Sequence, residues 1–161
     1  MGPFENALDR LGIVLPPAPK PVAAYVPFTR SHASPGGQLI FVSGQLPMKD
    51  GTLTCTGPVP TAVSVEQAVQ AARQCAINAL SVLRDACQGD IDKIGQILRV
   101  GIFVQSADGF DAQAKVANGA SELLAAVFGD AGKHARAAVG TNSLPLNATV
   151  ELELLAETRL P

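Results

Sequence analysis

Residues 134–157 read HARAAVGTNSLPLNATVELELLAE, and this stretch carries the clearest strand signals in the chain. Its first part, from Arg136 to Thr141, is a short strand candidate that Leu144-Pro145 interrupts. From Thr149 to Ala156 the sequence alternates, with Val150, Leu152 and Leu154 on one face and Glu151 and Glu153 on the other. The stretch therefore predicts two strands, and it places Arg136 and Glu151 beside apolar segments.

The preceding residues alternate between strand and helix patterns. They predict a short helix at 4–11, strands at 24–30 and 38–47, a tight turn at 49–51, helices at 64–86 and 111–128, and between those helices a strand at 95–105. Ser64 and Gln67 form a capping-box pattern at the start of the longer helix. Gly12, Gly89 and Gly129 follow the three helices as stop signals.

The predicted order is β-β-β-α-β-α-β-β after the N-terminal helix, in one domain of residues 1–161. Residues 1–22 form the N-terminal helix and a proline-rich arm, with LPPAPKPV at 15–22 expected to be extended. Two long helices with five or six strands favour an α+β fold, with both helices on one face of a mixed sheet. The other face then needs a cover. Only 16% of residues are charged, which favours other subunits as that cover.

Composition excludes several functional classes. The net charge is −2 and no Lys/Arg cluster is present, so a nucleic-acid partner is disfavoured. No apolar run reaches the roughly 18 residues of a membrane span, and the N-terminus lacks a signal-peptide pattern. The three cysteines, Cys55, Cys75 and Cys87, have no metal-site spacing. We therefore expect reduced thiols, a cytoplasmic location and no metal or other cofactor.

Few residues are candidates for catalysis. His32 and His134 have no neighbours that suggest a catalytic set, and Gly36-Gly37 is typical of a turn. Cys75 and Cys87 fit the apolar stripe of a helix as small hydrophobic residues. Arg136 and Glu151 fit two interpretations, surface residues or a buried site for an anion, and the pattern alone favours the surface.

Three motifs point further: FVSGQLP at 41–47, ILRVGIFV at 97–104, and ARAAV followed by LPLNATVELE within 135–153. In order and spacing they resemble the Rid family, the reactive intermediate deaminases, also called YjgF-type proteins and often labelled endoribonuclease. The resemblance covers roughly residues 22–158, and the longer arm resembles a longer subgroup. It implies a chorismate-mutase-like fold, a homotrimer with clefts between subunits, and hydrolysis of enamines and imines such as 2-aminoacrylate to 2-oxo acids and ammonia.

The resemblance also assigns roles to individual residues. Arg136 matches the family's carboxylate-binding arginine, whose planar fork suits that task. Glu151 matches the acid that positions the attacking water. The other matches line the cleft: Tyr25, Ser43, Gly44 and Asn118, with Ala138 where the family commonly has cysteine.

Departures around the cleft leave the substrate open. Ala138 removes any thiol role but keeps a backbone N–H. Ala-Ala-Tyr-Val-Pro at 23–27 replaces the family's Gly-Pro-Tyr-x-Gln, and Gly140-Thr141 replaces a more usual Glu-Val. The alternatives to a general enamine deaminase are a regulatory or protective trimer that binds a small carboxylate, and a pathway-specific deaminase of the aminomuconate type.

Overall fold

A computed structural model describes residues 2–19, 24–31 and 37–159. Within these residues there are three α-helices, α1 Pro3–Arg10, α2 Val65–Ala86 and α3 Gln113–Phe128. The strands are β1 Phe28–Arg30, β2 Leu39–Gln45, β3 Met48–Lys49, β4 Thr52–Leu53, β5 Ile94–Gln105, β6 Ala135–Thr141 and β7 Val150–Thr158. Short 3-10 helices occupy Ile91–Lys93, Gly129–Gly132 and Pro145–Asn147.

The main sheet has the order β1-β2-β7-β5-β6, and β3 and β4 form a separate hairpin. Within the main sheet β5 and β6 are parallel, and the other neighbours are antiparallel. Strands β2 and β5 are parallel to each other, since both run antiparallel to β7. Helix α2 therefore connects the parallel strands β2 and β5, and helix α3 connects the parallel strands β5 and β6. Both connections run in the same direction across the sheet. Right-handed crossovers place both helices on one face. The predicted mixed sheet with two long helices on one face is confirmed.

The longer helix begins and packs as its sequence predicts. The Ser64 hydroxyl accepts a hydrogen bond from the Gln67 backbone N–H at 3.1 Å, and the Gln67 side chain accepts from the Ser64 N–H at 3.0 Å. Helix α3 crosses closely, because a Cβ on Gly119 would collide with the Val69 carbonyl oxygen. Small side chains thus bring two backbones together over an aliphatic core.

Two sequence predictions differ from the structure in detail. The strand expected at 24–30 begins only at Phe28, and Pro27, which has no N–H to donate, lies just before it. The turn at 49–51 closes the β3–β4 hairpin, whose second strand, Thr52–Leu53, is not among the strands that the sequence predicts. His32, Gly36 and arm residues 20–22 lie outside the described residues.

Candidate functional site

Arg136 lies on edge strand β6 and its side chain is directed toward α3. It pairs with Val100 of β5, which is fully buried under the helices, and residues paired across parallel strands share a face. One Arg136 nitrogen, Nη1, donates to Asn118 Oδ1 at 2.9 Å and to Ser121 Oγ at 3.1 Å, and Nη2 donates to the Ala114 carbonyl at 3.3 Å. These three hydrogen bonds leave two of the five guanidinium N–H donors for a ligand.

His134 is linked to Arg136 through the hydroxyl of Ser121. His134 Nδ1 lies 2.6 Å from the Gly132 carbonyl oxygen, so this nitrogen carries the proton and donates it. In the neutral ring Nε2 is then an acceptor for the Ser121 hydroxyl, 3.0 Å away. The Ser121 hydroxyl in turn accepts a hydrogen bond from Arg136. Arg136 thus donates to Ser121 and Ser121 donates to His134, and this chain of hydrogen bonds fixes the position of the guanidinium.

Ala138 lies two residues after Arg136 and on the same side of the sheet. It pairs with the buried Ile102 and packs against the core. Together with Asn118, these residues form one group, which we call the arginine half-site: Arg136, Asn118, Ser121 and Ala138.

Glu151 lies on β7 and faces the side of the sheet that carries no helix. It pairs with Phe103 of β5, whereas its neighbours Val150 and Leu152 are fully buried under the helices. Burial raises the pKa of the Glu151 carboxyl above its usual range, and the negative charge of Glu153 raises it further. A raised pKa makes the carboxylate a stronger proton acceptor and so suits it to act as a general base.

Gly44 and Ser43 bring the segment containing Tyr25 close to this glutamate. A Cβ on Gly44 would collide with Glu151 Oε1, so only glycine at this position leaves room for the Glu151 carboxylate. Ser43 Oγ donates to the Val26 carbonyl at 2.7 Å, which holds the residue next to Tyr25 against β2. We call Tyr25, Ser43, Gly44 and Glu151 the glutamate half-site.

The two half-sites are separate within one chain. Arg136 aligns through Val100 with Leu154, three residues along β7 from Glu151. Two strand spacings and three residues of strand rise separate the two Cα atoms by roughly 14 Å. The side chains also leave opposite faces of the sheet, so one chain does not bring them onto the same ligand.

Cys75 and Cys87 are buried thiols whose described surroundings do not activate them. Burial raises the pKa of the Cys75 thiol, with the negative charge of Glu151 as the next cause, and its Sγ donates to the Val150 carbonyl at 3.6 Å. Burial also raises the pKa of Cys87. Among the described residues no group of three or more histidine, cysteine, aspartate or glutamate side chains could hold a metal ion. Within that same part of the chain, no helix is long and apolar enough to cross a membrane.

The chain belongs to the family described as "YjgF/chorismate mutase-like, putative endoribonuclease", which matches residues 5–158. The family expected from the motifs is therefore confirmed, and with it the YjgF-like α+β fold.

Individual relatives share nearly the whole chain. Protein TCP17 of Trypanosoma cruzi is 41% identical over 93% of this chain and 91% of its own length. The structure of Atu1372 from Agrobacterium tumefaciens is 43% identical, covers 98% of this chain and 93% of its own, and superposes with a TM-score of 0.87. A "putative endoribonuclease" of Shewanella oneidensis is 29% identical, with coverages of 97% and 99% and a TM-score of 0.90. A Rid-family protein of Yersinia pestis, 24% identical with coverages of 88% and 93% and a TM-score of 0.59, shares the fold.

Sequence reasoning did not identify Ser121 and His134, which hold the Arg136 side chain in place. Ser121 lies three residues after Asn118, which puts both on one face of α3, and that spacing could have indicated a second acceptor. His134 gave no signal, because its partners Gly132 and Ser121 meet it only when the end of α3 turns into β6.

Proposed function

We propose that this chain forms a homotrimer that hydrolyses reactive enamines and imines, of the 2-aminoacrylate type, to 2-oxo acids and ammonia. The observation that carries the proposal is the division of the family's site residues into two half-sites. The arginine half-site lies on edge strand β6, and the glutamate half-site lies toward the β1–β2 side of the sheet. A head-to-tail contact between copies, repeated until the ring closes, joins one half-site to the other at each interface.

The face of the sheet opposite the helices supports such an assembly. Phe41 and Val139 lie on this face and are 48% and 46% exposed in the single chain. Large apolar side chains on an uncovered sheet face favour burial against another subunit. The low fraction of charged residues in the chain also favours burial of this face against another subunit.

Chemistry at the joined site uses few groups. The two free N–H donors of Arg136 bind the substrate carboxylate. After the enamine tautomerises to the imine, water adds to the imine carbon and Glu151 takes a proton from that water. That proton passes to the imine nitrogen and completes the carbinolamine. Glu151 then transfers the carbinolamine hydroxyl proton to the same nitrogen, the carbon–nitrogen bond breaks as the carbonyl forms, and ammonia leaves with the 2-oxo acid as product.

The test is hydrolysis of 2-aminoacrylate, generated in situ from serine by a dehydratase. We expect acceleration by the wild type and a loss of roughly 100-fold in Arg136→Ala, since charge-assisted hydrogen bonds contribute about 3 kcal/mol. Arg10→Ala, an exposed arginine at the end of α1, is the matched control. Full activity in Arg136→Ala would exclude the proposed carboxylate role.

A second candidate is a trimer that binds a small carboxylate without turning it over. The specific observation in its favour is Ala138, where the family commonly has cysteine. Thermal stabilisation by 2-oxo acids, lost in Arg136→Ala and unaccompanied by hydrolysis, would favour this candidate.

A further inference from the structure

The proline-rich arm is docked on the body of the protein. Arg84 of α2 donates from Nη2 to the carbonyl oxygens of Leu15 and Pro16, at 3.1 and 3.2 Å. The Leu15 side chain is buried in the core. An arginine and a buried leucine thus hold Leu15 and Pro16, at the start of the arm, in a defined place.

The docked arm forms one wall of an open cleft of about 320 Å³. Pro16, Pro17 and Pro19 line that wall, and Leu46, Met48 and Leu146 contribute apolar surface to the same cleft. An apolar cavity of roughly 150 Å³ is enough for benzene, so this cleft has room for a large side chain.

Polar groups in the cleft are largely satisfied by the protein itself. Asn78 donates from Nδ2 to the carbonyls of Leu46 and Met48, both at 2.9 Å, and its Oδ1 accepts from Gln74 at 3.0 Å. Among the described lining residues the ionisable acid is Asp50, which is exposed, and the described lining has no lysine or arginine. The cleft therefore favours an uncharged apolar group and disfavours a second carboxylate.

The cleft shares two of its lining residues with the glutamate half-site. Tyr25 and Gly44 belong to both, and Gly44 packs against the Glu151 side chain. A substrate whose reacting carbon lies beside Glu151 can extend its side chain past Gly44 into the cleft.

We infer that the arm-walled cleft selects the substrate side chain, so that the preferred substrates are 2-imino acids with a large aliphatic or aromatic side chain. This inference rests on the proposed function. Arg84 is a positioning residue in it, because it acts by holding the arm.

The experiment compares imines produced in situ from phenylalanine, leucine and alanine by an amino acid oxidase. Remaining imine is trapped with semicarbazide, and kcat/KM is measured for each. We expect kcat/KM to be at least tenfold higher for the phenylalanine and leucine imines than for the alanine imine, since one methylene in an apolar pocket changes selectivity by about tenfold or more. Arg84→Ala should reduce the large-to-small ratio by about tenfold. Arg73→Ala, on the same helix and away from the cleft, should leave the ratio unchanged.

A second variant and a binding measurement separate the possible failures. Met48→Glu places a charge in the cleft without touching the arm, and it should lower the same ratio even if Arg84→Ala fails to fold. Dissociation constants of phenylpyruvate and pyruvate are measured in parallel. Equal hydrolysis of large and small imines, with a ratio unchanged in both variants, would overturn the inference and leave the proposed function standing. Tighter binding of phenylpyruvate without hydrolysis of any imine would refute the proposed function and support the cleft, whereas equal binding of both acids without hydrolysis would refute both.

Discussion

Arg136 and Glu151 leave opposite faces of one sheet, with strand β5 between their strands. Arg136 is held on the helix side by Asn118 and Ser121, and Glu151 faces the side without helices beside Gly44. A guanidinium at the edge of a sheet remains within reach of a second molecule, whereas the width of the sheet keeps it from the glutamate of its own chain. The proposed function accordingly makes the interface between copies part of the active site.

Mixed assemblies test this directly. Arg136→Ala and Glu151→Gln should each be inactive alone, but when equal amounts are unfolded and refolded together, about a quarter of the interfaces should pair an intact Arg136 with an intact Glu151. Imine hydrolysis by the mixture should therefore recover to about a quarter of the wild-type value. Each variant refolded alone is the control. An inactive mixture whose mixed composition has been verified would place both residues in one subunit's site, contrary to the proposal.

The hydrogen-bond chain behind Arg136 should affect substrate binding more than turnover. Ser121→Ala removes one acceptor of the guanidinium and its link to His134, and a hydrogen bond from a charged group contributes about 1.5 kcal/mol or more. We expect KM to rise roughly tenfold with kcat little changed. Ser121→Thr keeps a hydroxyl and should restore KM. If Ser121→Ala and His134→Ala raised KM as independent, additive effects, the two residues would not act through one chain.

A substitution at Gly44 should displace the Glu151 side chain and leave the stability of the fold nearly unchanged. In Gly44→Ala the new methyl group displaces the Glu151 carboxylate, a flexible side chain that can move without unfolding the sheet. We expect a fall in kcat of roughly tenfold or more with little change in melting temperature, because a small displacement of a catalytic group is costly. In a Glu151→Gln background the same substitution should have almost no further effect. A full additional loss there would mean that Gly44 acts elsewhere.

The acid limb of the pH–rate profile should report Glu151. The proposed mechanism needs its carboxylate form, and burial together with Glu153 raises its pKa, so kcat/KM should fall with decreasing pH at a higher pH than for an ordinary glutamate. Glu153→Gln removes the neighbouring negative charge and also frees Arg99, its partner at 3.1 Å. Both changes favour the carboxylate and should move the limb to lower pH. Glu157→Gln, further along the same strand, serves as the control, and an identical shift in this variant would count against a local effect.

Local sequence determined the elements, and the family motifs located one of the residues that support the arginine. The Ser64–Gln67 capping box begins α2 where the pattern places it, and Gly129 ends α3 with a positive φ of 60°. Asn118, assigned only by resemblance, does meet Arg136. These features depend on neighbours within one or two turns, or on motifs that the family shares, and both are readable in a single sequence.

Tertiary structure alone decided how those elements divide the site. Alternation in a strand shows that Glu151 and its apolar neighbours face opposite ways, but only the parallel register of β5 with β6 shows that Arg136 shares the face of Val100. The docking of Leu15 and Pro16 on Arg84 joins positions 69 and 68 residues apart, and the contact of Ser121 with His134 forms only where α3 turns into β6. Such contacts depend on which surfaces the folded layers bring together, a relation that no local pattern records. The sequence by itself thus determined strands, helices and candidate residues, and the packing of the sheet decided which of them can share a ligand.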